Sequence, residues 1–140
     1  MTREDILALI PQRDPILMVD ALLDVGTDGG TTRLTIRPDN YFLDEDGRME
    51  EAGILEHIAQ SASALAGHHA LTAGAATPPV GYIGEIKKFH CHRLPRTGDE
   101  LLTTVTSGAE AEGVTLLSAE TRAGGEVVAD TRMKIYLPRD

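Results

Sequence analysis

The sequence predicts an α+β protein in which a six-stranded antiparallel sheet curls around one long central helix. One stretch, beginning at Gly53, has apolar residues at helical spacing, whereas the segments on both sides of it alternate apolar and polar residues between glycine-rich turns. A single apolar helix beside a sheet must be enclosed by that sheet to be buried. The predicted order is a short N-terminal helix, two strands, the long helix and four more strands.

The elements before the long helix are predicted to be a short helix and a hairpin. The short helix covers residues 2–10 and is ended by Pro11. A strand over residues 16–25 pairs with a second strand over 33–37, because both are apolar or alternating and glycines separate them. Residues 38–52 are polar and are expected to form an irregular loop.

The long helix has few large residues and many small ones, which allow a strongly curved sheet to approach closely. Four strands are expected after it because alternating segments are separated by turn glycines; they cover residues 80–93, 100–107, 114–122 and 127–137.

Length and composition exclude several classes of protein. The 140 residues form a single predicted domain over residues 1–140, with 41% hydrophobic and 25% charged residues as in ordinary globular chains. A formal net charge of -9 disfavours nucleic acid and anionic membrane surfaces as partners. No stretch is long and apolar enough for a membrane span, and a single cysteine fits a reducing compartment, so the expected location is the cytoplasm.

Three segments in order and at matching spacing resemble the hot-dog-fold 3-hydroxyacyl-acyl-carrier-protein dehydratases. They are IPQRDPILMVD at 10–20, GILEHIAQSA at 53–62 and GYIGEIKKFHCHRLPRTGDEL at 81–101. The resemblance implies a hot-dog dimer, in which the two helices lie back to back beneath one continuous sheet. It also implies an acyl thioester substrate, attached to acyl carrier protein or to coenzyme A, and no cofactor.

The chain departs from these dehydratases at one catalytic position. Their Gly-His-Phe-Pro motif, which contains the catalytic histidine, has no counterpart between Asn40 and Gly53, where the sequence reads NYFLDEDGRMEEAG. The carboxylate that the family places on the helix is retained as Glu56, and the glutamine one turn later is retained as Gln60.

Dehydration of a 3-hydroxyacyl thioester requires a base, an acid and donors to the thioester oxygen. Glu56 is the candidate acid–base residue, and Gln60 at i+4 lies on the same side of the helix and orients it. Backbone N–H groups at the helix start are candidate oxyanion donors, because they lack helical partners and have partial positive charge; they belong to Gly53, Ile54 and Leu55. From the residues alone, a carboxylate that only stabilises the helix dipole is an alternative for Glu56.

His57 follows Glu56 directly, but successive helical residues are about 100° apart, so the two side chains face different directions. We expect His57 to pack at a subunit interface. Participation in the reaction is the alternative for this residue.

Two further groups of residues suggest metal ligands, but no metal site is expected. His90 and His92 share one face of a strand, while Cys91 faces the other. His68 and His69 are further candidate ligands, but no second close pair completes a tetrahedral set of metal ligands. The acidic run over residues 44–51 lacks the ligand spacing of a calcium loop.

A local cluster of cations lies within this acidic chain. Lys87, Lys88, Arg93 and Arg96 are candidates for contact with the phosphate of phosphopantetheine or with an acidic carrier protein. An ordinary charged strand edge is the alternative.

Three functions remain open at this stage. The first is a dehydratase that uses Glu56, and the second is a hot-dog acyl thioesterase in which Glu56 activates water or attacks the thioester. The third is an acyl-binding subunit without activity of its own. The expected assembly is a homodimer or a higher homo-oligomer, or a heterodimer with a second hot-dog protein, as the absent histidine suggests for the third function.

Overall fold

The computed structural model describes residues 3–74, 76 and 82–136. Its elements follow the order α1 (Arg3–Leu7), β1 (Ala21–Gly26), β2 (Gly29–Thr35), α2 (Glu51–Thr72), β3 (Tyr82–Cys91), β4 (Glu100–Ala111), β5 (Val114–Ala123) and β6 (Glu126–Tyr136). The strands form one six-stranded sheet in the order β1-β2-β4-β5-β6-β3, and every neighbouring pair is antiparallel. The predicted fold class, with six strands around one long helix and a short N-terminal helix, is confirmed.

The order of the last four strands differs from a simple meander. Strand β3 follows α2 in the chain but pairs with β6, so β3 is one edge of the sheet and β1 is the other. The β5–β6 connection is a tight turn in which Gly124 and Gly125 both have positive φ, of 60° and 80°. Such a turn matches the right-handed twist of the strands that it joins, which is why glycine is found there.

Helix α2 packs its apolar side against β1, β2 and β4. Ile54, Ile58 and Leu65 recur at three-to-four and seven-residue intervals and are buried in the core, together with Leu101 and Val105 from β4. Because the helix is enclosed on this side, the residues that it presents at its first two turns are fixed relative to the sheet.

The predicted first strand is wrong over residues 16–19, because β1 begins only at Ala21. The segment before it is held by other hydrogen bonds. The backbone N–H groups of Ile16 and Leu17 donate to the Arg13 carbonyl oxygen at 2.9 and 3.1 Å, and the guanidinium of Arg13 in turn donates to the carbonyl of Leu7 at the end of α1. The apolar run therefore fills the core as an irregular segment, since its polar backbone groups have partners outside a strand ladder.

Hydroxyl groups on the inner face of the sheet connect it to α2. The Ser61 hydroxyl donates to the carbonyl oxygen of His57 at 2.7 Å, and the Thr32 hydroxyl lies 2.7 Å from Ser61 Oγ. Since the single proton of Ser61 is used on His57, Thr32 is the donor in the second bond. Both hydroxyls are fully buried, so neither has water as an alternative partner.

Replacing Ser61 by alanine is expected to lower the free energy of unfolding by about 1–3 kcal/mol, because the Thr32 hydroxyl then lacks an acceptor. The double variant S61A/T32V removes that hydroxyl as well and is expected to recover part of the loss. Urea unfolding of the wild type, both single variants and the double variant measures the coupling. Strictly additive losses would show that the two hydroxyls do not interact.

Candidate active site

Helix α2 brings Glu56 and Gln60 together, as their spacing predicts. The side-chain Nε2 of Gln60 donates to Glu56 Oε1 at 2.8 Å. Gln60 is itself buried, and its other hydrogen bonds go to the segment before β1: Oε1 accepts the Met18 N–H at 2.6 Å, and Nε2 also donates to the Ile16 carbonyl oxygen at 2.8 Å. With three partners, the carboxamide has one fixed orientation, and it presents a donor to Glu56.

The Glu56 carboxylate is half-buried and has one oxygen that is not engaged. Oε1 accepts the hydrogen bond from Gln60, whereas Oε2 has no hydrogen-bond partner among the described residues. A proton on this carboxyl group therefore belongs on Oε2, the oxygen that can exchange it with a bound molecule.

The prediction that His57 packs at a subunit interface is wrong. The ring is fully buried within its own chain, with Nδ1 2.6 Å from the Met18 carbonyl oxygen and Nε2 2.8 Å from Thr103 Oγ1. Burial lowers the pKa of His57 from 6.5 to about 4, although the Met18 carbonyl and the charge of Asp20 act in the opposite direction. His57 is therefore neutral near pH 7, and both of its ring nitrogens are occupied.

The backbone at the helix start differs from the predicted oxyanion site. Helix α2 begins at Glu51 rather than at Gly53, and the N–H groups of Gly53 and Ile54 both reach the Glu50 carbonyl oxygen, at 2.9 and 3.3 Å. The expectation that these amides lack partners is wrong. Ile54 is also fully buried, and Leu55 is packed against the core with its side chain half-buried.

The space beside Gly53 is occupied by the preceding loop. A Cβ atom at this position would lie 2.5 Å from Phe42 Cβ and 2.9 Å from Met49 Cγ. Gly53 thus lets the loop, rather than a substrate, approach the helix. In the dehydratases that the sequence resembles, the catalytic histidine belongs to this segment. Here the side chains of Phe42 and Met49 pack against the first turn of α2.

His90 on β3 and His92, directly after the end of β3, are exposed on the outer face of the sheet. His90 Nδ1 and His92 Nε2 contact the two carboxylate oxygens of Asp130 at 3.1 and 2.8 Å, while Cys91 packs against the core on the other face. The hydrogen bonds from His92 and then His90 hold the pKa of Asp130 below its ordinary value. Across the described part of the chain, no group of three or more His, Cys, Asp or Glu side chains is arranged to hold a metal ion.

The four candidate cations for carrier contact differ in their surroundings. Lys87 and Lys88 are exposed on the edge strand β3 and form no ion pair with any described residue. Arg93 contacts Glu126 at 2.9 Å and Asp99 at 3.4 Å, so its charge is neutralised locally, and the Glu126 hydrogen bond is the main reason that its pKa is raised.

Arg96 is exposed, but its backbone forms an isolated bridge with Arg48 in the loop before α2. It is therefore not on the strand that presents the two lysines. The structure adds a cation that sequence reasoning missed. Arg132 on β6 is the direct cross-strand neighbour of Lys88 and is likewise exposed and unpaired within the described residues. The register that brings them together could not be known from the sequence.

A cavity of about 400 Å³ lies at the other end of α2, between the helix and the inner face of the sheet. Its floor is apolar, with Ala62, Leu65 and Leu117, and polar side chains at its rim include Asp28 and Glu110. Glu56 does not line it; the cavity begins at Ala62, about 9 Å further along the helix at 1.5 Å per residue.

Within the described residues, no helix is long and apolar enough to cross a membrane.

Comparison with known proteins defines the class of the chain. The structure of the dehydratase heterocomplex ApeI:P from Xenorhabdus doucetiae matches with a TM-score of 0.88 at 19% identity, over 96% of this chain and 91% of that one. The structure of smu.793 from Streptococcus mutans UA159 bound to acetyl CoA matches with a TM-score of 0.66 at 9% identity, over 84% and 86% of the two chains. These likenesses show a hot-dog fold.

The sequence then defines the family. The chain is 29% identical over 141 residues to a 3-hydroxyacyl-[acyl-carrier-protein] dehydratase, FabZ, of Syntrophotalea carbinolica, which covers 96% of this chain and 94% of the relative. The family model of the ApeP-like dehydratases matches residues 4–140. The chain belongs to the ApeP-like dehydratase family, and the resemblance to hot-dog 3-hydroxyacyl-acyl-carrier-protein dehydratases is confirmed.

The buried, neutral state of His57 predicts how stability changes with pH. Its pKa is lower in the folded chain than in the unfolded chain, so the unfolded chain binds the proton first as the pH falls through 6.5, and folding loses stability until about pH 4. At pH 5 the loss attributable to His57 is roughly 2 kcal/mol relative to pH 7.5.

Urea unfolding between pH 7.5 and 4.5 measures this loss. The matched variant His57→Asn has no titrating group at this position and is expected to show a flatter dependence, since the remaining carboxylates are the same in both proteins. Parallel curves for the two proteins would contradict a buried neutral imidazole.

Proposed function

We propose that this chain is a dehydratase subunit that supplies Glu56 as the acid–base residue for a 3-hydroxyacyl thioester, in a site completed by a histidine from a second hot-dog subunit. The observation on which the proposal depends is the geometry of Glu56. Its carboxylate is held by Gln60 through one oxygen and is open at the other, which is the arrangement that a proton-transfer group needs.

All five histidines lie in the part of the chain that the structure describes, and none of them is placed to act beside Glu56. His57 is buried with both nitrogens bonded, and His90 and His92 face outward on Asp130. His68 and His69 lie 12 and 13 positions after Glu56 on the same helix, which is about 18–20 Å at 1.5 Å per residue. A histidine that acts as the second acid–base group must therefore come from another chain.

A heteromeric site is supported by the comparison with the ApeI:P complex, which is a dehydratase composed of two different subunits. In a composite site, one group removes the proton next to the thioester carbonyl, and the other protonates the departing 3-hydroxyl so that it leaves as water. Glu56 fits the second role, because a proton held on Oε2 faces away from Gln60 and can be transferred. The products are then the enoyl thioester and water.

The substrate is proposed to be bound to acyl carrier protein rather than free. The FabZ relative acts on acyl-carrier-protein substrates, as its name states, and carrier proteins are recognised through charge. Lys87, Lys88 and Arg132 are exposed cations that form no ion pair within the described residues, and Lys88 and Arg132 are cross-strand neighbours. The family match over residues 4–140 also supports the prediction that the chain is a single domain. We propose a cytoplasmic location for this domain.

Replacement of Glu56 by glutamine is expected to lower the dehydration rate by roughly 10²–10⁴-fold, because the acid–base group is lost while the size of the side chain is kept. The matched control is Glu51→Gln, which changes an exposed carboxylate in the first turn of the same helix. Formation of the enoyl thioester is followed by ultraviolet absorbance, with the chain alone and with a hot-dog subunit that contains the Gly-His-Phe-Pro motif.

Each result separates the functions that the sequence left open. Enoyl product only in the presence of the histidine-containing subunit supports the proposal, and product from the chain alone would show that no partner is needed. Release of free thiol from a plain acyl thioester would indicate a thioesterase. Activity of the mixed complex that is unchanged by E56Q would remove Glu56 from the reaction and leave an acyl-binding role.

The proposed carrier contact predicts a change in KM. The variant Lys87→Gln/Lys88→Gln is expected to raise KM for the carrier-protein substrate several-fold at low salt with kcat unchanged, because rim charges act mainly on association. Arg93→Gln is the matched control, since Arg93 is already paired with Glu126 and Asp99. A short pantetheine thioester lacks the carrier protein, so an equal rise in its KM would contradict the assignment.

A further inference from the structure

A chain of hydrogen bonds joins the core of the sheet to the candidate acid. Thr121 Oγ1 lies 2.7 Å from Thr103 Oγ1, and Thr103 Oγ1 lies 2.8 Å from His57 Nε2. On the other side of the ring, His57 Nδ1 lies 2.6 Å from the carbonyl oxygen of Met18, whose own N–H donates to Gln60. The chain ends on Glu56 through Gln60, and all of its members except Glu56 are buried.

The direction of each bond in this chain follows from chemistry. The Met18 carbonyl oxygen can only accept, so Nδ1 of the neutral imidazole carries the proton and Nε2 is an acceptor. The Thr103 hydroxyl must then donate to Nε2, and Thr121 must donate to Thr103. At the other end, the Met18 N–H can only donate, so Gln60 must direct Oε1 toward Met18 and Nε2 toward Glu56.

We propose that His57 is a positioning residue for the dehydration: by holding the Met18 carbonyl it fixes the Met18 N–H against Gln60, and so keeps a donor facing Glu56 Oε1. The proposal rests on the proposed function of Glu56, and it deepens that function by adding a residue that never touches the substrate. His57 acts through a single intervening residue, since its own contact and the contact of Gln60 are on the same Met18.

The need for such a residue lies in the irregular segment before β1. Met18 is in neither a helix nor a strand, so no ladder of neighbouring backbone bonds holds its N–H in place. Its side chain is fully buried, and its two backbone polar groups are bonded by the side chains of His57 and Gln60. Without the His57 bond, the Met18 carbonyl would be a buried acceptor without a partner and the segment would shift to satisfy it.

The wrong orientation of Gln60 is costly for the site. If the carboxamide were flipped, its oxygen would face the Glu56 carboxylate, and its nitrogen would face the Met18 N–H. Acceptor would then oppose acceptor and donor oppose donor. His57 contributes to preventing this state by keeping the Met18 N–H where only an acceptor fits.

Two variants divide the functions of the two ring nitrogens. Asparagine at position 57 places its amide nitrogen where Nδ1 lies, so His57→Asn keeps a donor for the Met18 carbonyl and loses the contact with Thr103. Glutamine places its terminal atoms where Nε2 lies, so His57→Gln keeps the contact with Thr103 and loses the donor for Met18. Thr131→Val is the control for a lost buried hydrogen bond elsewhere, because the Thr131 hydroxyl donates to the Lys88 carbonyl, outside this chain of bonds.

We expect H57Q and H57N to differ in kcat, and a loss of stability alone cannot produce such a difference. H57Q should lower kcat of the mixed complex roughly tenfold with little change in KM, whereas H57N and T131V should stay within about threefold of the wild type. Rates are compared per folded molecule at 15 °C. Equal kcat for H57Q and H57N would overturn the proposal, because a purely structural His57 would affect only the amount of folded protein.

A second pair of measurements needs neither substrate nor partner, so it remains decisive if the proposed function fails. The first of the two uses only the wild-type chain and therefore does not depend on the folding of H57Q. The ¹⁵N shifts of the His57 ring in the wild-type chain should show protonated Nδ1 and unprotonated Nε2; the reverse tautomer would overturn the proposal. The Met18 amide should exchange with solvent roughly tenfold faster in H57Q than in H57N. Equal exchange in the two variants would show that His57 does not fix Met18.

Discussion

The two-sided attachment of Met18 to helix α2 is the constraint on which the rest of the candidate site depends. The carbonyl of this residue accepts from His57 and its N–H donates to Gln60, so one turn of the helix holds an otherwise irregular segment of backbone. In return, the segment determines the orientation of the carboxamide that binds Glu56. The Glu56 carboxylate is therefore bonded to a carboxamide whose orientation depends on backbone atoms 38 residues earlier in the chain, and the side chain next to Glu56 binds those same backbone atoms.

The fold was largely predictable from the sequence, because periodicity is a local property. The helical spacing from Gly53 and the strand alternation near Met133 and Ile135 depend only on nearby residues, and both elements are present. Residues 16–19 were mispredicted because an apolar run resembles a buried strand, whereas the hydrogen-bond partners that decide its state are side chains of α2 and the backbone carbonyl of Arg13. Tertiary hydrogen bonds of this kind leave no periodic signal.

The candidate site was predictable only in part, for the same reason. The pair of Glu56 and Gln60 lies within one helix, so its geometry follows from spacing. The burial of His57 depends on Thr103, which is 46 residues away, and a single sequence does not contain that contact. One usable signal was present: Thr103 lies between Leu101 and Val105 at inward positions of β4, which indicates a buried hydroxyl in need of a partner.

The packing of Phe42 against Gly53 has a consequence for how this branch of the family can change. The loop that bears a catalytic imidazole in the related dehydratases packs here against Gly53, where the absence of a Cβ atom leaves room for Phe42 and for the fully buried Met49. A single substitution that introduces a histidine elsewhere in this loop leaves Phe42 and Met49 packed against Gly53. Placing an imidazole at the helix start therefore requires the replacement of Phe42 as well as the introduction of the histidine, so two coordinated changes are needed rather than one.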